Sequence, residues 1–314
     1  MEQMDMFTAM YPRFVIDKPV RLIELFAGIG AQAKALENLG VPFEHWKAVE
    51  VDKYPMRSYN AVHGTKFKPT DIREIHAEDL DIRERERFCY ILTYSFPCQD
   101  LSISGNLKGM AKGSGTRSGL LWEVERLLEE CGTELPQVLL MENVPNVIGN
   151  GNIKDFQAWR AKLESLGYQN YVELLNAKDY GIPQNRNRCF MVSLLGEYSY
   201  TFPPKQELKL RLKDMLDKDV DEKYFLSDKM LQTVLRGGSG SFYMKPEIDL
   251  DTARPLTATM HKMHRAGCDN YVSDEYAKNG ERCLLIKEDT KKGYAVARGG
   301  GMEYISTDLT KREE

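Results

Sequence analysis

No two of the six cysteines in this chain form a CxxC pair; Cys89, Cys98, Cys131, Cys189, Cys268 and Cys283 are scattered over 314 residues. That spacing excludes a zinc knuckle and argues against a disulfide framework, so a reducing cytoplasm is the expected compartment and no metal is expected. No apolar run approaches the roughly 20 residues of a membrane span. Met1 to Pro19 mixes acids and bases around an early Pro12 and lacks the basic-then-apolar order of a signal peptide. A positive excess is missing as well. With 43 basic against 47 acidic side chains the net charge is −4, and any nucleic-acid footprint must therefore be local.

What is present is enough apolar material, 42% of residues, for one large domain and a smaller one. From Arg21 to Ser193 short apolar runs alternate with helical patterns, which predicts an α/β fold with a doubly wound, mostly parallel sheet. Strands are expected at 22–25, 46–49, 90–94, 138–141, 171–175 and 189–194. Helices are expected at 31–39, 120–131 and 153–166, the last stopped by Gly167. After Phe202-Pro203-Pro204 the chain becomes charged, then rich in glycine and turns. The expected division is a catalytic domain over 1–203 and a smaller domain over 204–314, with 236–241 as a flexible loop.

The first expected strand runs into Phe26-Ala27-Gly28-Ile29-Gly30-Ala31-Gln32-Ala33. Gly28, Gly30 and Ala33 match the G-x-G-x-x-G/A spacing, in which absent side chains let the backbone turn sharply and approach a ligand. Glu50 closes the second strand, where a carboxylate accepts both hydroxyl protons of a ribose; NAD and S-adenosylmethionine fit equally well. Asp71, in Thr70-Asp71-Ile72, is a candidate acceptor for an adenine amino group.

The strand at 90–94 leads into Ser95-Phe96-Pro97-Cys98-Gln99, placing a thiol at the carboxyl edge of a parallel sheet, where such folds bind ligands. A lone cysteine there would be read as a buried core thiol. Cys98, however, follows a stiffening proline and precedes a polar loop, Gln99 to Gly119, with five glycines and four serines. The strand at 138–141 ends in Glu142-Asn143-Val144 and brings an acid to the same edge. A thiolate and an acid converging on one small ring suit cytosine. Thiolate addition at C6 loads C5 with electron density for attack on a methyl sulfonium, and an acid hydrogen-bonding N3 eases the addition.

These motifs together resemble those of the cytosine-C5 DNA methyltransferases, over Arg21 to about Ser193 and in that family's order. Phe26-Ala27-Gly28-Ile29-Gly30 is similar to its cofactor motif, Pro97-Cys98-Gln99 to its nucleophile motif and Glu142-Asn143-Val144 to its acid motif. Gln184-Asn185-Arg186-Asn187-Arg188 is similar to its Q-x-R-x-R element. The resemblance implies a Rossmann-like methyltransferase with a smaller target-recognition domain, S-adenosylmethionine as cofactor and double-stranded DNA as partner. It also implies a cytoplasmic, nucleoid-associated protein, bacterial or phage-encoded, of restriction-modification type.

By the same resemblance Phe26 packs on the adenosine, Gly28 and Gly30 admit the methionine portion, and Glu50 binds the ribose. Asp71 and the Ile72 backbone read the adenine. Pro97 and Leu121 line the cofactor pocket. Cys98 attacks C6, Glu142 contacts N3 and the exocyclic amine, Arg188 holds O2 and orients Glu142, and Arg186 supports them. Gln99, Ser102, Ser104 and Arg117 fall on the loop that faces DNA. Arg254 and Thr257, in Arg254-Pro255-Leu256-Thr257, match an R-x-x-T element of the recognition domain.

Two departures stand out. Val51 occupies a position where the family often has an aromatic, leaving adenine stacking to Phe26. No closing G-N-[SA]-V motif appears; residues 299–314 match nothing in the family pattern, so a second polypeptide is a candidate source of that element.

An enzyme of this kind must turn the base out of the duplex. The Gln99–Gly119 loop is expected to close from one groove. The second domain, with Arg236, Lys245, Arg254, Lys262, His264 and Arg265, is expected to face the other. The rivals are a transfer-RNA cytosine-C5 methyltransferase, which the long 205–314 segment disfavours, and a non-catalytic DNA-binding homologue, which the joint presence of Cys98, Glu142 and Arg188 disfavours. An NAD-dependent oxidoreductase would explain neither the Pro97-Cys98-Gln99 nor the Gln184 to Arg188 motif.

Overall fold

A computed structural model describes residues 11–101, 109–217, 220–221, 225–227, 229–230, 247–256, 269–280, 284–289, 293–298 and 301–306. The chain forms two compact units: Met1–Leu175 with Asn187–Pro203, and Asn176–Arg186 with Pro204–Glu314.

The first unit is built on a six-stranded sheet in the order β2-β1-β3-β4-β6-β5. The strands are β1 (Val20–Leu25), β2 (Phe43–Val49), β3 (Cys89–Tyr94), β4 (Val138–Asn143), β5 (Tyr168–Asn176) and β6 (Asn187–Leu195). Pairing of β1 with β2 and β3, and of β3 with β4, is parallel. The sheet is not parallel throughout, because β6 runs antiparallel to β4. That reversal has a consequence for the site. The amino end of β6, carrying Arg188, comes to the edge where the carboxyl ends of β1 to β4 finish, with Asn143 opposite Cys189.

Each expected strand and helix is present, several of them longer or shorter by a few residues. Helix α1 (Ala31–Asn38) follows the glycine turn, α4 (Leu121–Glu130) buries Leu121, Val124, Leu127 and Leu128, and α5 (Ile153–Ser165) buries Phe156, Trp159 and Leu163. The last two show the three-and-four spacing of an amphipathic stripe. Two further helices are α2 (Lys53–His63) and the short α3 (Ala77–Leu80). The Asp52 carboxylate caps α2 by accepting from the Tyr54 amide at 2.9 Å, and Gly64 ends it at φ 65°. Among the described residues no helix is long and apolar enough to cross a membrane.

The core lies on the face of the sheet carrying Ile23, Leu25, Leu92, Tyr94, Leu139 and Met141, all essentially inaccessible. Two charged residues are buried in β1. The Arg21 guanidinium lies 3.6 Å from the centroids of both Trp46 and Phe88 and donates to Tyr90 Oη at 2.8 Å. On the opposite face Glu24 accepts from Tyr59 Oη at 2.5 Å and from the Ala33 amide at 3.2 Å. Both satisfy the rule that a buried charge must be paired or hydrogen-bonded.

In the second unit the Asn176–Arg186 segment bridges to Ala253: the Asn185 amide donates to the Ala253 carbonyl at 2.7 Å, and the Ala253 amide to that of Pro183 at 2.8 Å. Helix α6 (Asp274–Asn279) is capped by Ser273, and β7 (Leu284–Asp289), β8 (Gly293–Arg298) and β9 (Gly301–Ser306) form an antiparallel sheet.

Candidate active site

Parallel register sets the frame of the site. Leu25 pairs with both Val49 and Tyr94, and Tyr94 with Met141. The residues just beyond, Phe26, Glu50, Ser95 to Cys98 and Glu142, therefore emerge at one edge of the sheet.

At the β1 edge Phe26 turns with φ 57°, a conformation that a bulky side chain adopts only under local constraint. The constraint is visible: Ala27 donates to the Val49 carbonyl at 3.0 Å and Gly28 to Glu50 Oε2 at 3.0 Å. A Cβ on Gly28 would meet nothing within 4 Å, so the turn opens outward there, whereas one on Gly30 would sit 2.3 Å from His63 Nε2. Glu50 also accepts from the Asp52 amide at 2.9 Å. Two backbone donors thus fix its carboxylate, and acceptor positions remain for two hydroxyls. A nucleoside with a ribose diol fits this arrangement.

The other expected cofactor residues occupy different settings. Asp71 caps a 3₁₀ turn and its carboxylate is held by Arg73 at 2.5 Å, a contact that lowers its pKa. Ile72 and Leu121 are buried in the core, Pro97 is half-buried, and Val51 is 65% exposed.

The turn that carries Cys98 is tied down from four directions. Ser95 Oγ accepts from Gln32 at 3.0 Å, the Phe96 carbonyl from Asn143 Nδ2 at 3.0 Å, the Pro97 carbonyl from Ser118 Oγ at 2.6 Å, and the Cys98 carbonyl from the Leu101 amide at 3.0 Å. The thiol itself is half-buried. Buried Asp100 then closes the base of the long loop by accepting from the Arg117 amide at 2.9 Å, while Arg117 Nη1 donates to Gln99 Oε1 at 2.6 Å. Among the other described cysteines, burial pushes the pKa of Cys89 and Cys131 up to about 11 and that of Cys189 up to about 12. Those three thiols stay protonated in neutral water.

Glu142 and Arg188 meet across the β4–β6 pair, Nε to Oε1 at 2.9 Å, with both side chains mostly shielded from solvent. Arg188 Nη1 also donates to the Asn187 carbonyl at 2.8 Å. The expected contact between these two residues is present. Arg186 belongs to the second unit, where its amide donates to the Gln184 carbonyl at 2.9 Å. Arg254, also in the second unit, pairs with Glu247 at 2.5 Å and donates to the Asp269 carbonyl at 3.3 Å. Ser102, Ser104 and Thr257 lie outside the described residues, as do Arg236, Lys245, Lys262, His264 and Arg265.

Asn143, Ser118, Asp100 and Gln32 have roles that the motif reading did not assign. Asn143 and Gln32 stand inside motifs already singled out, and a polar side chain on a strand end or first helical turn was the available signal.

Comparison with known proteins gives a concordant result. The model of the family described as C-5 cytosine-specific DNA methylase matches residues 20–306. The type II methyltransferase M2.ScrFI of Lactococcus lactis subsp. cremoris is 33% identical, over 68% of this chain and 71% of its own. The orphan methyltransferase M.SssI of Spiroplasma monobiae is 35% identical, over 67% and 68%. Among solved structures, the S. pombe Dnmt2 methyltransferase superposes with a TM-score of 0.63 at 20% identity, covering 83% of this chain and 78% of that one. The Entamoeba histolytica methyltransferase EhMeth gives 0.60 at 19%, over 78% and 73%. At those identities the two structures establish the fold alone.

Proposed function

The chain belongs to the family of C-5 cytosine-specific DNA methylases, and from that premise we propose that Cys98 is the nucleophile that adds to C6 of a cytosine turned out of duplex DNA, with Glu142 and Arg188 gripping the ring. The reaction is methyl transfer from S-adenosylmethionine to C5 of cytosine. Bound S-adenosylmethionine supplies the methyl group on a positively charged sulfur. The chain's own residues do the rest. The Cys98 thiolate forms the S–C6 bond, and the displaced electron pair moves towards C5 and N3. Glu142 hydrogen-bonds N3 and the exocyclic amine, and Arg188, bonded to Glu142, fixes its orientation and reaches O2. C5 takes the methyl carbon as the broken bond's electron pair stays on the former sulfonium sulfur, and loss of the C5 proton to a base then restores the C5–C6 double bond, breaks the S–C6 bond and frees the thiolate.

The observation that carries this reading is the Glu142–Arg188 pair on the strand whose next residue, Asn143, grips the Cys98 turn. In the proposal Glu50, held by the Gly28 amide, takes the ribose hydroxyls, the open turn at Gly28 admits the methionine portion, and Phe26 packs on the adenosine. Asp71, the Ile72 backbone, Pro97 and Val51 complete that pocket in the proposal, while Leu121, wholly buried, belongs to the core instead of the pocket lining. Gln99, Ser102, Ser104, Arg117, Arg186, Arg254 and Thr257 are the DNA contacts in the proposal. The setting is the nucleoid of a bacterial or phage-infected cell.

A second polypeptide that supplies the closing helix is part of the proposal. In β4, Leu139 and Met141 are wholly buried, whereas the apolar Val138 and Leu140 on the opposite face are only half-buried. An added helix would cover that apolar strip.

Bisulfite sequencing of DNA from cells expressing the chain tests the function. Protected cytosines at a defined sequence, absent with Cys98→Ala, are expected. Methylated transfer RNA with unmodified DNA would overturn the DNA reading.

A further inference from the structure

Behind the glycine turn, on the face of β1 away from the main core, three side chains from three elements converge. Glu37 comes from the last turn of α1, His45 from β2 and His63 from the last position of α2. One ligand-capable atom from each lies within 4.8 Å of the other two. Glu37 Oε1 is 2.8 Å from His63 Nδ1 and 3.9 Å from His45 Nε2. The His63 side chain is 0% exposed and that of His45 is 19% exposed.

The outer hydrogen bonds determine which nitrogens carry protons. His63 Nε2 faces the Ile29 carbonyl at 3.3 Å, and a carbonyl can only accept, so that nitrogen is the N–H. His45 Nδ1 faces Tyr59 Oη at 3.0 Å, and the phenol's single proton is already given to Glu24 at 2.5 Å. Burial among acids keeps that phenol protonated. His45 Nδ1 must then be the donor. Facing inward are a lone pair on His45 Nε2, the Glu37 carboxylate and His63 Nδ1, whose 2.8 Å contact with Glu37 Oε1 is a hydrogen bond when that nitrogen carries a proton. A metal ion would take the place of that proton, leaving two imidazole lone pairs and a carboxylate oxygen to share one cation. The remaining carboxylate oxygen, Oε2, is held by Lys34 Nζ at 2.8 Å, so the Glu37 ligand is oriented as well.

We propose that Glu37, His45 and His63 form a binding site for a divalent transition-metal ion, Zn²⁺ by the character of its ligands, with water in the fourth position. Two imidazoles and one carboxylate are a common zinc set, and imidazole ligands disfavour magnesium and calcium. Each histidine donates its outer N–H to an oxygen, which is the arrangement that orients metal-bound imidazoles. Cysteine spacing could not reveal such a site, because its ligands are 8 and 18 residues apart and contain no thiol.

The site would also stiffen the turn in front of it. His63 bonds the Ile29 carbonyl, and its ring leaves no room for a side chain on Gly30. A metal that fixes His63 thereby fixes the backbone of that turn. This consequence, though not the site itself, rests on the turn's role in binding S-adenosylmethionine.

The test uses the full chain, stripped with a chelator and titrated with zinc chloride by calorimetry, then with cobalt chloride for the visible spectrum of Co²⁺. One equivalent should bind, Co²⁺ should give the intense bands of four- or five-coordination, and the melting temperature should rise with zinc because the ion binds the folded state. Glu37→Gln and His45→Gln lie away from the methyl-transfer residues. Each should lower zinc affinity by about 10²-fold or more, as ligand loss must exceed the 10–100-fold typical of outer partners, while melting close to the parent without metal. Absence of saturable binding, or equal binding by parent and variants, overturns the proposal. None of these readouts uses DNA or turnover, so failure here is distinguishable from failure of the methyltransferase reading. Tighter S-adenosylmethionine binding by the zinc-loaded chain is expected in addition; an unchanged affinity would sever the link to the turn.

Discussion

Asn143, the residue after the proposed acid, donates its side-chain amide to the carbonyl of Phe96 at 3.0 Å, two residues before the proposed nucleophile. One strand end therefore orients the acid on one face and fixes the thiol's turn with the other. Asn143 is 2% exposed, so Asn143→Ala leaves a buried carbonyl unpaired, at about 1–3 kcal/mol. Turnover should fall by about 10²-fold from misplacement of the thiol, with the cofactor dissociation constant little changed. Parallel loss of both would place Asn143 under the cofactor instead.

Glu142→Gln preserves shape and can still hydrogen-bond N3, but it supplies neither a carboxyl proton nor a charge opposite Arg188. Turnover should fall by about 10²–10⁴, the range for a lost acid–base group, with a smaller change in DNA affinity. Arg188→Lys keeps the charge and loses the planar fork that grips Glu142; it should also slow turnover. Steady-state kinetics with an unmethylated duplex checks both, and an unchanged rate for Glu142→Gln would move the acid role elsewhere.

The thiols differ in a way that labelling reads directly. Because burial raises Cys89 and Cys131 to about 11 and Cys189 to about 12, their thiolate fraction at pH 8 is on the order of 10⁻³ or less. Iodoacetamide at pH 8 followed by peptide mass analysis should modify Cys98 before those three, and bound DNA should protect it. Their labelling should grow as pH rises towards 11. Cys189 modified ahead of Cys98 in the native chain would contradict the assignment.

The half-buried face of β4 leads to a further expectation. If a second polypeptide carrying the closing helix seats there, adding it should tighten S-adenosylmethionine binding and raise the melting temperature together, since a partner that binds only the folded chain must stabilise it. Titration and melting curves with and without that polypeptide decide the matter. Tight cofactor binding and full activity of the chain alone would remove the need for a partner.

The sheet and its edge residues were legible because strands buried on both faces read as short apolar runs, and because motif residues sit directly after them. Phe26, Glu50, Cys98 and Glu142 needed only that logic. Helix α2 escaped, although Asp52 and Gly64 mark its ends, because its apolar residues Met56 and Tyr59 cover a narrow stripe. The reversal of β6 was not legible, since an apolar run carries no direction, and that reversal brings Arg188 to Glu142. The burial of Glu24 and Arg21 was not legible either, because their partners, Tyr59 and Tyr90, lie 35 and 69 residues away.

The central claim is that Cys98 bonds covalently to the target cytosine during methyl transfer. The direct measurement incubates the chain and S-adenosylmethionine with duplex DNA carrying 5-fluorocytosine at the methylated position, then resolves the products under denaturing conditions. Fluorine at C5 removes the proton whose loss releases the enzyme. The account predicts a denaturation-resistant protein–DNA adduct, mapped to the peptide containing Cys98 and absent with Cys98→Ala. An adduct that persists in the alanine variant, or methylation of ordinary cytosine by that variant, would contradict it.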